Sequence, residues 1–150
     1  MIEPIKVEPF FWSHRLVDQD IDIVNDGKTV VKLNQNGWSN VMMDRPLSEG
    51  KHTWKLKIDR FVRCHDFFIG VSRETDKYNK TPAKAGDIDA YAYLATVPDI
   101  RQKNVDKQQY GHACRNGGEV ITVTLEFENG RGKVSYDVNG EDYGVAFSNL

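Results

Sequence analysis

Apolar and polar residues alternate along much of this chain with a period of two, the pattern of strands half buried in a sheet. The longest run is Val120–Glu128, where Ile121, Val123, Leu125 and Phe127 share one face and Thr122, Thr124, Glu126 and Glu128 the other. Asn129-Gly130 follows, then Lys133–Val138 with Val134, Tyr136 and Val138 in phase, then Asn139-Gly140 and Tyr143–Phe147. Asn-Gly pairs most readily supply the positive φ angles of a tight hairpin, so this stretch predicts antiparallel strands in series. Upstream, His52–Ile58 sets Trp54, Leu56 and Ile58 against Lys55 and Lys57. Ile21–Val24 and Thr29–Leu33 flank Asn25-Asp26-Gly27 and predict a further hairpin. Ala90–Tyr93 alternates small and aromatic residues, with its rings on one face. Asp66–Ser72 is apolar on both faces, which predicts a central strand between two layers. Gly70 within it marks a place where a side chain would meet the facing layer or a crossing backbone.

No segment sustains a helical period. Pro82–Ala85 and Ile100–Gln109 offer a turn or so of helix at most. Arg73–Asp89 and Thr96–Tyr110 are long and polar and read as surface loops, the usual carriers of recognition in a sandwich. The expectation is one all-β domain.

Composition narrows the function classes. At 150 residues the chain suffices for one domain with a real core. A net charge of −2 provides no basic field, so the expected partners exclude nucleic acid. No apolar stretch has membrane-spanning length, and Met1–Lys6 lacks the pattern of a secretory leader, so no membrane contact is expected. Two cysteines, Cys64 and Cys114, do not make a disulfide framework, and reduced thiols place the expectation in the cytoplasm or nucleus. The sequon Asn79-Lys80-Thr81 carries no weight there.

Reactive constellations are sparse. Ser13-His14 and Asp18 lie close in sequence, but no Gly-x-Ser-x-Gly elbow presents a nucleophile. Cys64-His65 and His112-x-Cys114 hold zinc-type ligands without the Cys-x-x-Cys spacing of a knuckle. Asp87-Ile88-Asp89 and Glu141-Asp142 read as solubilising charge on loops and turns. No catalytic residue, metal ligand or cofactor is assigned.

Three groups of residues carry a family likeness. The first is Trp38-Ser39-Asn40-Val41 with Pro46–Ile58, a Ser-Glu-Gly turn entering a Trp-bearing strand. The second is Phe68-Ile69-Gly70-Val71-Ser72. The third comprises Tyr110-Gly111, Gly118–Val123, Val138-Asn139-Gly140 and Gly144-Val145-Ala146-Phe147. In this order and spacing they resemble the SPRY domain family over residues 12–150, with 1–11 as an N-terminal extension. The resemblance implies a two-layer antiparallel β-sandwich, the concanavalin A-like jelly roll, with Trp38 packed under the sheet. Members usually continue past the Gly-Val-Ala-Phe strand with a Leu-Tyr-Pro-like segment, so the expectation is a C-terminally truncated domain. The implied function is noncatalytic: binding of a protein or peptide ligand through rim loops, as a substrate-recruiting or scaffold module of a larger multidomain protein or complex. By correspondence the partner-binding residues are Arg60, Arg63, Cys64 and His65 before the central strand, Asn34, Gln35 and Asn36 in a neighbouring loop, and Tyr78 beyond. The alternative is a lectin-like carbohydrate binder that stacks sugars on Tyr91, Tyr93, Tyr78 and Trp38.

Overall fold

The computed structural model describes residues 10–33, 39–60, 67–72, 90–96, 98–102, 108–114 and 117–150. These form strands and turns, with no helix among the described residues. One layer is a four-stranded antiparallel sheet built from β5 (Lys51–Lys57), β10 (Val120–Glu128), β11 (Arg131–Val138) and β12 (Glu141–Phe147), in the order β12-β11-β10-β5. Its register follows the alternation: Ile121 faces Val138, Val123 faces Tyr136, and Leu125 faces Val134. All six are buried, so one face of the sheet is continuous core. Trp54, opposite Val123, and Ile58 extend that core, while Lys55 and Lys57 stay exposed.

Two tight turns fix this register. Asn129 and Gly130 have φ of 53° and 77°, and Asn139 and Gly140 have 53° and 89°. Paired positive φ values define the type I′ hairpin, whose twist matches that of the strands it joins. The second turn is braced by its own side chains. Asn139 Oδ1 accepts the Val120 N–H at 2.9 Å, and Asp137 Oδ1 accepts the Gly140 N–H at 2.8 Å. The outer strand β12 is less regular. Its pairing with β11 shifts register on both sides of Ser135, and Gly144 has φ of 78°.

The second layer is β6 (Phe68–Ser72), β7 (Ala90–Leu94), β8 (Asp99–Gln102) and β9 (Gln108–Gln109), hydrogen-bonded in that order. The layers meet through rings. Tyr93 packs on Tyr136 with centroids 5.4 Å apart, and Tyr91 meets Phe147 edge-on at 5.6 Å. The Tyr136 hydroxyl donates across the interface to the Ile69 carbonyl at 2.8 Å. Two smaller ladders complete the chain. β2 (Ile21–Val24) pairs with β3 (Thr29–Lys32) as the alternation predicts, and β1 (Trp12–Val17) pairs with β4 (Val41–Met43). Phe10 reaches from the start of this ladder to Trp54, with ring centroids 6.5 Å apart.

Three expectations change. The stretch 96–110 is not all surface loop, and the ends of 100–109 are strand rather than helix, because β8 and β9 occupy them and Ile100 is buried, while 103–107 lie outside the described residues. Strand β6 pairs with β7, and no second partner strand flanks it among the described residues. The glycine within it is needed all the same, but against a neighbour. A Cβ on Gly70 would lie 2.0 Å from the Tyr91 carbonyl oxygen and 2.6 Å from Ala92 Cα, both on the adjacent strand. Arg73–Asp89, with Pro82–Ala85 inside it, lies outside the described residues.

Backbone cannot retreat as a flexible side chain does, so Gly70→Ala is expected to cost about 3 kcal/mol or more. Urea unfolding followed by tryptophan fluorescence measures this. A loss under about 1 kcal/mol, the scale of an ordinary strand substitution, would show that β6 and β7 can separate freely.

Candidate recognition site at the sandwich rim

At one end of the sandwich, residues 110–114 and 117–119 form a strap, the first part bonded to one layer and the second to the other. On the β7–β8 side, the Cys114 N–H donates to the Ala95 carbonyl at 2.7 Å, and the Ala95 N–H donates to the Phe67 carbonyl at 2.9 Å. On the β5 side, the Gly118 N–H donates to the Ile58 carbonyl at 2.5 Å, and the Ile58 N–H to the Glu119 carbonyl at 2.9 Å. Glycine at 117 permits the closest approach: φ is 78°, and a Cβ there would lie 3.1 Å from the Asp59 carbonyl oxygen. Backbone bonds thus hold Cys114 to the segment beside the start of β6, and Gly118 and Glu119 to the end of β5.

Two exposed groups of different character stand at this rim. Arg60 is exposed beyond β5, past a solvent-facing Lys57–Asp59 pair at 3.7 Å. Phe67 is 38% exposed, unusual for a phenyl group whose own carbonyl is held in a ladder. A cation and an apolar ring on a backbone-braced rim can take up a carboxylate and an apolar side chain of a ligand together.

Beneath the strap lies a tyrosine cluster. Tyr93 is fully buried and its hydroxyl donates to the His112 carbonyl, while the same oxygen accepts the His112 N–H at 3.1 Å. The Tyr110 hydroxyl donates to the Gly144 carbonyl at 2.5 Å and accepts the Tyr136 N–H at 3.1 Å, tying the strap to β11 and β12. Burial disfavours every phenolate here. It pushes Tyr110 up to about 12, and Tyr93 and Tyr136 further. Burial, with the Glu119 charge adding to it, pushes the Cys114 thiol up to about 11. A thiol so protonated is a poor nucleophile and metal ligand. What His112 turns toward Cys114 Sγ is its backbone carbonyl, at 3.9 Å.

Of the residues expected from sequence, Arg60 lies among the described ones, exposed two residues beyond Ile58. Asn34, Gln35, Asn36, Arg63, Cys64, His65 and Tyr78 lie outside the described residues, as does Trp38. The Ser13-His14…Asp18 grouping serves structure at its acidic end. Asp18 Oδ2 accepts the Asn40 N–H at 2.5 Å, and Asp20 accepts the Ser39 hydroxyl through both oxygens, at 2.5 and 2.6 Å. Burial raises the Asp18 carboxyl above its ordinary value, the Asn40 bond opposes that rise, and the Asp20 charge adds to it. The carbohydrate alternative loses one of its rings: Tyr93 has no exposed face to offer a sugar, because it fills the space between layers. Tyr91 is half buried with its ring against Phe147. Sequence reasoning does not single out Phe67 or the strap. Gly117-Gly118 is the available sign, since adjacent glycines mark a place where backbone must turn or pass closely.

Two antiparallel layers in this arrangement constitute a β-sandwich of the SPRY type. The chain is similar to the crystal structure of the SPRY domain of human HERC1, with a TM-score of 0.73 over 92% of this chain and 81% of that one. At 19% sequence identity the likeness is one of fold. No family model matches the sequence, and no curated protein matches it either.

The buried hydroxyls and thiol have a consequence at alkaline pH. Each holds its proton more tightly in the folded state, so its stabilisation is complete below the unfolded value and is lost as pH rises through the folded one. Stability should fall from pH 9.0, where the unfolded thiol begins to ionise, and more steeply above 10.0, where unfolded tyrosines follow. Urea midpoints at about pH 8, 10 and 11 should therefore decline in that order, and Tyr110→Phe should flatten the decline. A midpoint constant across this range would contradict the burial of the cluster.

Proposed function

We propose that this chain is a noncatalytic protein-interaction module that binds a peptide or a partner's loop at the rim beside β5 and β6. The observations that carry the reading are an exposed Arg60 just past β5 and an exposed Phe67 just before β6, each beside backbone bonds to the strap or to the segment it holds. The SPRY-type fold supports it, since the neighbour is itself a SPRY domain. The reading takes Arg63, Cys64 and His65, between Arg60 and Phe67 in sequence, and Asn34, Gln35, Asn36 and Tyr78 as further contacts for the ligand. In this reading Arg60 and Arg63 pair with acidic side chains of the ligand, and Phe67 takes an apolar one. Affinity comes from those contacts together with backbone hydrogen bonds, and the module serves a larger protein or complex in a reducing compartment.

Partner capture tests this. Proteins retained from lysate by the wild-type chain are expected to be lost about tenfold or more with Arg60→Glu combined with Arg63→Glu. Lys55→Glu, on the outer face of β5, should retain them. Equal retention by the rim variant would move the site elsewhere. Binding on a glycan array that Tyr91→Ala abolishes, with no protein retained, would favour a carbohydrate ligand instead.

A further inference from the structure

A depression of about 550 Å³ opens where β1, the β2–β3 turn and the end of β4 meet. Its lining includes Phe11, Trp12, His14, Ile23, Asp26 and Asp44, and none of the rim residues named above. The backbone dictates how these groups stand. The Trp12 N–H donates to the Gly27 carbonyl at 2.9 Å, and the Asp44 N–H donates to the Phe11 carbonyl at 3.0 Å. The strand entering at Phe11 is therefore bonded to the segment of Asp26 through one neighbour and to that of Asp44 through the other. Phe11 is 41% exposed, and its ring lies over Gly27, where a Cβ would come within 3.4 Å of Cδ1. An open phenyl ring and two exposed aspartates thus line the same depression. Among the described residues neither carboxylate meets a cation. Lys28 and Arg45 follow Gly27 and Asp44 in sequence, but neither lines the depression.

We propose that this depression binds an arginine side chain of a partner polypeptide, with the guanidinium stacked on Phe11 between Asp26 and Asp44. The chemistry selects the occupant. An aromatic face attracts a cation, and carboxylates pair with one, so an anionic or neutral group would leave both carboxylates unmatched. Guanidinium suits the place better than ammonium because it is planar, stacks on rings and is more weakly hydrated. Ile23 and Trp12 supply apolar wall for the side-chain stem. This site would read positive charge, the opposite sign from the rim, and it stands or falls independently of the rim reading.

The test uses the isotopically labelled full chain and the probe N-acetyl-Gly-Arg-Gly-amide, followed by amide chemical shifts. The shifts are expected at Phe11, Trp12, His14, Gly27 and Asp44, and absent with the citrulline counterpart, which keeps the shape and lacks the charge. Asp26→Asn combined with Asp44→Asn should weaken the arginine peptide about tenfold or more. Asn tolerates the left-handed backbone at position 26, where φ is 56°, so the turn is retained. The proposal is overturned if citrulline shifts the same amides, if the lysine peptide binds as tightly, or if the folded double variant binds unchanged. The first two comparisons use the wild-type chain and hold whether or not the variant folds.

Discussion

The hydroxyl of Tyr136 leaves one layer, crosses the core and donates to the carbonyl of Ile69 in the other. Tyr136 is buried to 1% exposure, so leaving that hydroxyl unpaired would cost on the order of 1–3 kcal/mol. Apolar packing alone tolerates sliding between two sheets; a directed bond between buried polar atoms does not. Through this contact β6 is registered against β11, and with it the start of the strand that carries Phe67. The Tyr136 amide, in turn, donates to Tyr110, whose hydroxyl reaches Gly144 on β12. Three strands and the strap are thus set by the position of one side chain and its backbone.

The parts of this arrangement visible in the sequence are those that repeat. Ile121, Val123, Leu125, Val134, Tyr136 and Val138 declare their burial by period, and Asn139-Gly140 declares its turn by the only backbone angles it readily serves. Strand β8 is hidden because Asp99-Ile100-Arg101-Gln102 carries a single large apolar residue. Its charges instead meet one another, Arg101 to Asp99 at 2.8 and 3.0 Å, so a polar stretch can sit in a ladder. The strap is hidden for a different reason. Its bonds run between backbone groups of Cys114, Gly118, Ala95 and Ile58, which no side-chain pattern records. Tyr91 and Tyr93 show the limit of periodicity. It puts both rings on one face, but whether that face meets solvent or a second layer depends on distant residues.

For the proposed site, Arg60 is named in the sequence as flanking the positions aligned back from Gly70, whereas Phe67 is not. A phenyl group beside a strand reads as core, and only the geometry of the strand end leaves it exposed. The rim and the depression at Phe11 differ in their origin as well as in sign. The rim is assembled from segments far apart in sequence and depends on the strap holding them. The depression is assembled from the two short ladders, β1–β4 and β2–β3. If both proposals hold, a single domain would engage two charged stretches of partner chain at once, provided each can reach its own surface.

The irregular pairing of β12 has a bearing on how the protein behaves at high concentration. An outer strand with a straight run of free N–H and C=O groups invites another chain to add to the sheet and begin a fibril. Here the register slips on both sides of Ser135, Gly144 turns the backbone to φ of 78°, and Glu141 and Asp142 place like charges at the strand's start. Val145 is 55% exposed, but it sits on a ribbon too bent and too acidic at one end for a copy to lie flush against it. The same kinks that roughen the sheet leave the side of β12 that has no partner strand among the described residues a poor template for aggregation.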